Sequence, residues 1–165
     1  MLRILAITAG VESKRNPFCV SLADLYGAEV LAGKARVEIP RDRLLRSLGL
    51  AEILGTHAKN IRSLNREILR REFEVLFVVK GNFVTAATLK ALRARLTPPK
   101  IIGWSPDDIY LPHNNSSILR AAAPYYDTFF TAKSLNIVNG ELQQMGFKDP
   151  RFLHQGYDLA VHRPL

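Results

Sequence analysis

Two adjacent carboxylates, Asp107 and Asp108, are the residues of this sequence best suited to chemistry on a hydroxylated substrate. They follow an apolar segment and the turn residues Ser105 and Pro106. A carboxylate in such a place can accept a proton from a hydroxyl group or form a hydrogen bond with it. The same pair also suits an ordinary turn or a helix cap, which would give it a purely structural role.

Lys80 is the second residue whose type and place suggest chemistry. It follows the continuous apolar run of residues 75–79. A cation that leaves a buried strand needs a partner or access to solvent, because burial without either is unfavourable. We expect Asp107 or Asp108 to be that partner. The sequence leaves open whether the pair is a structural ion pair or contacts a ligand.

The pattern of the chain predicts the elements that position these residues. Short apolar segments alternate with segments of helical periodicity, which is typical of an α/β fold with a Rossmann-like open parallel sheet and helices on both faces. We predict a single domain over residues 1–165. Strands are predicted at residues 2–8, 28–39, 74–79, 100–104, 128–131 and 151–153.

Helices are predicted at residues 17–26, 41–72, 85–95, 116–123 and 134–145. Thr85 is expected to cap the third of them, with Leu89, Leu92 and Leu96 as its apolar repeat. Ser134 is expected to cap the last, which ends at Gly146. The apolar repeat of that last helix is Leu135, Val138, Leu142 and Met145.

Ligands of open parallel sheets bind beyond the carboxyl ends of the strands, so those ends are the predicted binding positions. Polar residues or glycines follow five of the predicted strands. The predicted substrate-binding residues are Gly10, Lys80, Asn82, Trp104, Ser105, Lys133, Ser134 and Gln155, with Asp107 and Asp108 as the catalytic candidates.

Several classes of site lack support in the sequence. Neither Gly-x-Gly-x-x-Gly nor a P-loop motif occurs, which argues against a bound dinucleotide cofactor or a P-loop nucleotide. The four histidines are scattered and Cys19 is the only cysteine, so we predict no metal site. No serine or cysteine has the setting of a hydrolase nucleophile. With no long apolar run and no export signal, we expect a cytoplasmic protein, either free or peripheral to the membrane.

The charge balance raises the question of an anionic partner, because the chain has a formal net charge of +8. Lys59, Arg62, Arg66 and Arg70 are spaced to share one side of a helix. The opposite side, predicted to lie on the sheet, carries Leu54, Ala58, Ile61, Asn65 and Ile68. The basic side is either a solvated surface, a contact for lipid headgroups or an acidic substrate, or a nucleic-acid contact. Nucleic acid is the least expected partner, because no aromatic residues alternate with these charges.

Four segments of the second half of the chain occur in an order that resembles one known family. They are residues 75–82, residues 102–108 (IGWSPDD), residues 126–134 (YDTFFTAKS) and residues 155–164, which contain Gly-Tyr-Asp and His-Arg-Pro. Together they resemble the N-terminal half of bacterial GT-B glycosyltransferases, in particular the CgeB-like group named for a spore-maturation protein. The resemblance covers residues 74–164, whereas residues 1–73 match in outline.

The resemblance implies two Rossmann-like domains that face each other across a cleft, usually without a required metal. The N-terminal domain holds a hydroxyl acceptor and the C-terminal domain binds the nucleotide-sugar donor. The chain is therefore predicted to be the acceptor-side domain, with Asp107 or Asp108 as acceptor-binding group or general base. The donor-side domain is expected outside this chain, which alone is predicted to be inactive. The alternative is a non-catalytic binding module whose basic helix holds membrane headgroups or nucleic acid.

Overall fold

The protein is an α/β domain built on one parallel sheet, and the computed structural model describes its residues 2–9, 17–33, 55–112 and 114–154. The strands are β1 (Ile4–Ala9), β2 (Glu29–Gly33), β3 (Val75–Val79), β4 (Lys100–Ser105), β5 (Thr128–Thr131) and β6 (Pro150–Phe152). The helices are α1 (Pro17–Tyr26), α2 (Gly55–Leu69), α3 (Ala86–Arg93), α4 (Ser117–Ala122), α5 (Ser134–Val138) and α6 (Glu141–Gln144).

The six strands form one open sheet in the order β2-β1-β3-β4-β5-β6, and every neighbouring pair is parallel. Parallel neighbours cannot be joined by a tight turn, so each connection crosses over the sheet. From β1 the chain passes outward to β2, returns across β1 to β3 and then runs in one direction to β6. The predicted fold class is confirmed.

The larger core lies on one face of the sheet, beneath α2, α3 and α4. Side chains alternate between the two faces of a strand, so every second residue of β1, β3, β4 and β5 points into this core. Its fully buried members include Leu5 and Ile7 of β1, Leu76 and Val78 of β3, Ile101 of β4, Phe129 of β5, and Ile68, Leu89, Leu92 and Leu119 of the helices.

A smaller core covers part of the opposite face of the sheet, beneath α1. Cys19 of α1 packs there with Ala6 of β1, Val79 of β3 and Trp104 of β4. Helices therefore lie on both faces, as the sequence pattern predicts. The strands at the centre of the sheet are buried from two sides, which explains the uninterrupted apolar run of β3.

The third predicted helix forms with the expected cap but ends earlier than predicted. The Thr85 side chain accepts a hydrogen bond from the backbone N–H of Thr88, and α3 ends at Arg93. Leu96 thus lies beyond the helix and is 100% exposed. The prediction that Leu96 continues the apolar repeat of Leu89 is therefore wrong.

The single helix predicted over residues 134–145 is also wrong. The structure has two short helices, α5 and α6, because Gly140 adopts a left-handed conformation (φ +67°) that a continuing α-helix does not permit. The break turns Leu135 and Val138 to solvent, whereas Leu142 is fully buried. The left-handed stop at Gly146 is confirmed (φ +98°).

Ser134 does not cap α5, contrary to prediction. Lys133 occupies the N-cap position in an extended conformation, with no capping hydrogen bond from its side chain, and Ser134 is the first helical residue. The preceding turn is instead stabilised by Thr131, whose hydroxyl accepts the backbone N–H of Lys133. Residues 34–54 of the predicted second strand and second helix lie outside the described residues.

As predicted, α2 has one buried apolar side and one exposed basic side. Ala58, Ile61, Asn65 and Ile68 are buried against the rest of the protein. The basic side chains of Lys59, Arg62, Arg66 and Arg70 are exposed on the other side. Leu54, predicted for the buried side, lies outside the described residues.

Candidate functional site at the carboxyl edge of the sheet

The direction of the chain connections reverses between the neighbouring strands β1 and β3. The connection that leaves β1 runs to β2 on one side, and the connection that leaves β3 runs to β4 on the other side. In open α/β sheets such a reversal of strand order is where ligands bind. Lys80 directly follows β3 and therefore lies beside this reversal.

Lys80 and Asp107 form an ion pair at this edge. The distance between Lys80 Nζ and Asp107 Oδ2 is 2.7 Å, and the two side chains are 42% and 40% exposed. An ion pair this exposed contributes about 0–1 kcal/mol to stability, because water screens it. The pair is therefore open to a ligand, and of the two predicted partners of Lys80 the structure selects Asp107.

The backbone of Lys80 is held in a conformation that side chains other than glycine rarely adopt. Its φ is +64°, and the following Gly81 has φ +69°. The Lys80 N–H donates to the carbonyl of Trp104 at 2.8 Å, which ties this corner to β4. Such local strain is often found at functional sites, since the surrounding structure must hold it in place.

Gly81 is required here for space as well as for conformation. A Cβ at this position would lie 2.6 Å from Leu119 Cδ1 and 3.1 Å from the hydroxyl of Tyr126. The backbone at Lys80 and Gly81 therefore packs closely against Leu119 of α4, a residue of the larger core. This packing fixes the direction in which the lysine side chain leaves the strand.

Asp108 has a different environment from Asp107. Its Oδ1 accepts hydrogen bonds from the backbone N–H of Tyr110 at 3.1 Å and from Asn136 Nδ2 at 2.8 Å. Asn136 is fully buried and also contacts Thr131 and Glu141. The carboxylate of Asp108 therefore links the loop after β4 to α5 and α6.

Asn82 also connects loops of this edge. Its Oδ1 accepts a hydrogen bond from the Ser116 hydroxyl at 2.9 Å, and its Nδ2 donates to the Asn114 carbonyl at 3.4 Å. The loop after β3 is thereby attached to the loop before α4. Asn82 is half-buried, so its role in this structure is to hold the loop that carries Asp107.

Trp104 and Ser105 are the last two residues of β4 and are buried at the carboxyl edge of the sheet. The Trp104 side chain is buried in the smaller core, and Ser105 is fully buried. The Ser105 hydroxyl accepts the backbone N–H of Asp107 at 3.2 Å and donates to the Asp107 carbonyl at 3.3 Å. Both residues therefore shape the turn that presents Asp107.

Lys133 and Ser134 lie at the same edge of the sheet, after β5. The backbone N–H of the neighbouring Ala132 donates to the carbonyl of Ser105, which joins this loop to the end of β4. The side chains of Lys133 and Ser134 are exposed. Gly10 and Gln155, the remaining predicted site residues, lie outside the described residues.

Cys19 lies near this edge but has the properties of a packing residue. It is fully buried. Burial raises the pKa of its thiol to about 11, although a hydrogen bond with Thr8 partly opposes the shift. A thiol with this pKa is protonated at neutral pH and therefore a poor nucleophile.

Among the described residues, no group of three or more histidine, cysteine, aspartate or glutamate side chains is arranged to hold a metal ion. Within the same residues, no helix is both long enough and apolar enough to span a bilayer. The described groups of this edge that can contact a ligand include the Asp107 carboxylate and the Lys80 and Lys133 ammonium groups.

Comparisons with protein-family models, curated proteins and solved structures found no match to this chain. The resemblance to GT-B glycosyltransferases therefore remains a prediction from the four sequence segments.

Sequence reasoning missed the residues that organise the site. Asn136 connects Thr131, Asp108 and Glu141, and the side chains of Asn114 and Asn115 donate to the backbone carbonyls of Asp108 and Ile109. The Asn114-Asn115-Ser116 cluster carried a detectable signal, since these residues favour turns and helix caps. Asn136 carried no such signal, because the fold brings its partner Asp108 to it from 28 residues away in the chain.

Proposed function

We propose that this chain is the acceptor-side domain of a two-domain glycosyltransferase that transfers a sugar from a nucleotide sugar to a hydroxyl acceptor. The observation that carries the proposal is the exposed ion pair of Lys80 Nζ and Asp107 Oδ2 beside the strand-order reversal. A carboxylate accepts hydrogen bonds and an ammonium group donates them, so the pair offers both kinds of partner to a hydroxyl group.

Asp107 is the general base of this proposal. Across the described segments its Oδ1 has no hydrogen-bond partner, while Oδ2 is held by Lys80. The proton of the acceptor hydroxyl passes to Asp107 as the acceptor oxygen bonds to the anomeric carbon of the donor sugar. The bond from that carbon to the nucleoside diphosphate breaks, and the electron pair leaves with the phosphate oxygen.

Asp108 is a positioning residue in this proposal, because both groups bound to its Oδ1 belong to the protein itself. Asn82, Ser105 and Asn136 likewise hold the loops in place. Lys133 supplies a second exposed cation at the same edge. The donor is assigned to a second domain, as the resemblance implies.

The proposal locates this activity in the cytoplasm. The single cysteine, Cys19, cannot form an internal disulfide, which suits a reducing compartment.

Substitution of the two neighbouring aspartates tests the proposal. The assay follows acceptor-dependent release of nucleoside diphosphate from a panel of nucleotide sugars by the full-length protein. We expect Asp107→Asn to lower kcat by about 10²- to 10⁴-fold, the usual contribution of a general base. Asp108→Asn is the matched control, since an asparagine oxygen can still accept the N–H of Tyr110.

Two outcomes would contradict the proposal. One is undiminished turnover by Asp107→Asn. The other is the absence of turnover with every nucleotide sugar in the panel. Circular dichroism and thermal unfolding of each variant separate a loss of activity from a loss of folding.

A further inference from the structure

The amino edge of the sheet, opposite the candidate site, has an arginine-lined cleft. Its volume is about 400 Å³, and its lining includes Arg3, Leu69, Arg70, Arg71 and Arg95. These residues come from the segments that precede β1, β3 and β4, which are neighbours in the sheet. The cleft therefore lies across the centre of this edge.

Three exposed leucines belong to the segments that supply the lining of the cleft. Leu69 lines it, Leu2 precedes Arg3, and Leu96 follows Arg95. All three leucine side chains are exposed. Scattered exposed leucines are ordinary on protein surfaces, but these three belong to the segments that supply the lining of one cleft, and we call them the leucine rim.

The basic face of α2 continues from this cleft. Arg70 lines the cleft and directly follows α2, and Arg66 and Arg62 lie about one and two helical turns before it. Throughout the described segments, Lys59, Arg62 and Arg66 form no ion pair with a carboxylate. These cations are therefore available to an external anion.

The carboxylates near the cleft are already engaged by its arginines. Arg71 pairs with both Glu29 and Glu67, and Arg3 pairs with Glu72. The pairing with Arg71 lowers the pKa of Glu67 from its ordinary value, so this carboxylate stays ionised. The positive charge that is not paired with a carboxylate therefore lies chiefly on the exposed basic side of α2, called the α2 face, which carries Lys59, Arg62 and Arg66.

We infer that this surface, the α2 face together with the leucine rim, is a docking surface for an anionic lipid bilayer. Arginines and lysines contact the phosphates of the headgroups, and exposed leucines enter the boundary with the acyl chains. The inference does not depend on the proposed function. Nucleic acid fits less well, because the one aromatic ring of the cleft, Phe73, is buried beneath the Arg95 guanidinium and cannot stack on a base.

Co-sedimentation with vesicles tests the inference on the whole chain. One set of vesicles is phosphatidylcholine alone, and the other mixes it equally with phosphatidylglycerol. We expect binding to the anionic set only, weakened by added salt. Because each basic side chain near an anionic membrane strengthens binding by about five-fold, Arg62→Gln combined with Arg66→Gln should weaken it by about 25-fold.

Matched controls remove two positive charges, or one exposed apolar side chain, from other parts of the protein surface. Arg120→Gln combined with Lys148→Gln also lowers the net charge by two, and binding should change far less. Leu96→Ser should weaken binding, whereas Val138→Ser, an exposed site on α5, should not. Leu96 and Val138 are both exposed, so we expect both variants to fold.

Three results would overturn the inference. They are no binding to anionic vesicles at low salt, equal loss of binding in the α2 and control pairs, and binding to an oligonucleotide without binding to vesicles. The oligonucleotide result, measured by fluorescence anisotropy, would assign the surface to nucleic acid instead.

Discussion

At the scale of single residues, Lys80 combines an unfavourable backbone with an exposed, charged side chain. A non-glycine residue in the left-handed region costs about 1–2 kcal/mol. The ion pair with Asp107 is too exposed to offset much of that cost. Stability alone would favour glycine at this position, and we attribute the lysine to the function of the site.

Replacement of Lys80 by glycine tests this interpretation. We expect the free energy of unfolding of Lys80→Gly to be unchanged or raised by about 1 kcal/mol, since strain is relieved and a screened ion pair is lost. The activity of the full-length protein should fall. Urea unfolding followed by circular dichroism measures the free energy of unfolding.

Gly81→Ala is the matched control for this corner. Its methyl group would meet Leu119 Cδ1 at 2.6 Å while φ stays positive, so we expect a loss of about 1–3 kcal/mol. If Lys80→Gly were destabilising to the same degree, the strain argument would be wrong.

The sequence predicted the Lys80 ion pair but not the backbone conformation and loop contacts that position it. A cation after a buried strand needs a partner, and two aspartates followed the next strand. The positive φ of Lys80 and the different roles of Asp107 and Asp108 depend on three-dimensional contacts with Trp104, Leu119 and Asn136. Such contacts join residues far apart in the chain, so local patterns do not reveal them.

At the scale of elements, Asp127 joins α3, β4 and β5 at the amino edge. Its Oδ2 accepts the backbone N–H of Ile101 at 2.7 Å, and its Oδ1 lies 2.8 Å from Arg93 Nη2. Burial on its own raises the pKa of Asp127, but the hydrogen bonds from Ile101 and Arg93 and the nearby charge of Lys100 outweigh it. The pKa is lowered as a result.

The lowered pKa of Asp127 makes stability depend on pH in a definite direction. A carboxyl group whose pKa is lower in the folded state adds stability at pH values above its unfolded pKa. That stability is lost as the pH falls through the folded pKa. We expect the wild type to lose more free energy of unfolding between about pH 6 and about pH 3 than Asp127→Asn does.

Urea unfolding at both pH values measures this difference. The carboxylates Glu67 and Asp149 also have lowered pKa values, so both proteins should lose some stability in acid. An equal loss in wild type and Asp127→Asn would show that the contacts of Asp127 do not favour its ionised form.

The prediction of elements succeeded where the periodicity was strong and failed at helix ends. The apolar run of β3 and the two-sided pattern of α2 were sufficient to predict both elements. The predicted helix over residues 134–145 failed because leucine and valine at helical spacing outweighed the signal of Gly140. The network around Asp108 was not foreseen, because its bond to Asn136 joins residues that are 28 positions apart in the chain.

At the scale of the whole molecule, the two edges of the sheet have different surfaces. The carboxyl edge carries the ion pair of Lys80 and Asp107, and the amino edge carries the arginine-lined cleft and exposed leucines. The alternation of strands and helices predicted the parallel sheet. The strand order was not predicted, because sequence periodicity does not say to which side of β1 a later strand returns.

The most direct test of the central claim is to map where a hydroxyl acceptor binds. Methyl glycosides serve as probes, and backbone amide chemical shifts of the isotopically labelled chain report the contact. We expect concentration-dependent shifts at Lys80, Asp107 and Lys133, with none at Glu74 and Thr97 of the amino edge. Shifts confined to the amino edge, or none at the carboxyl edge with any glycoside, would contradict it.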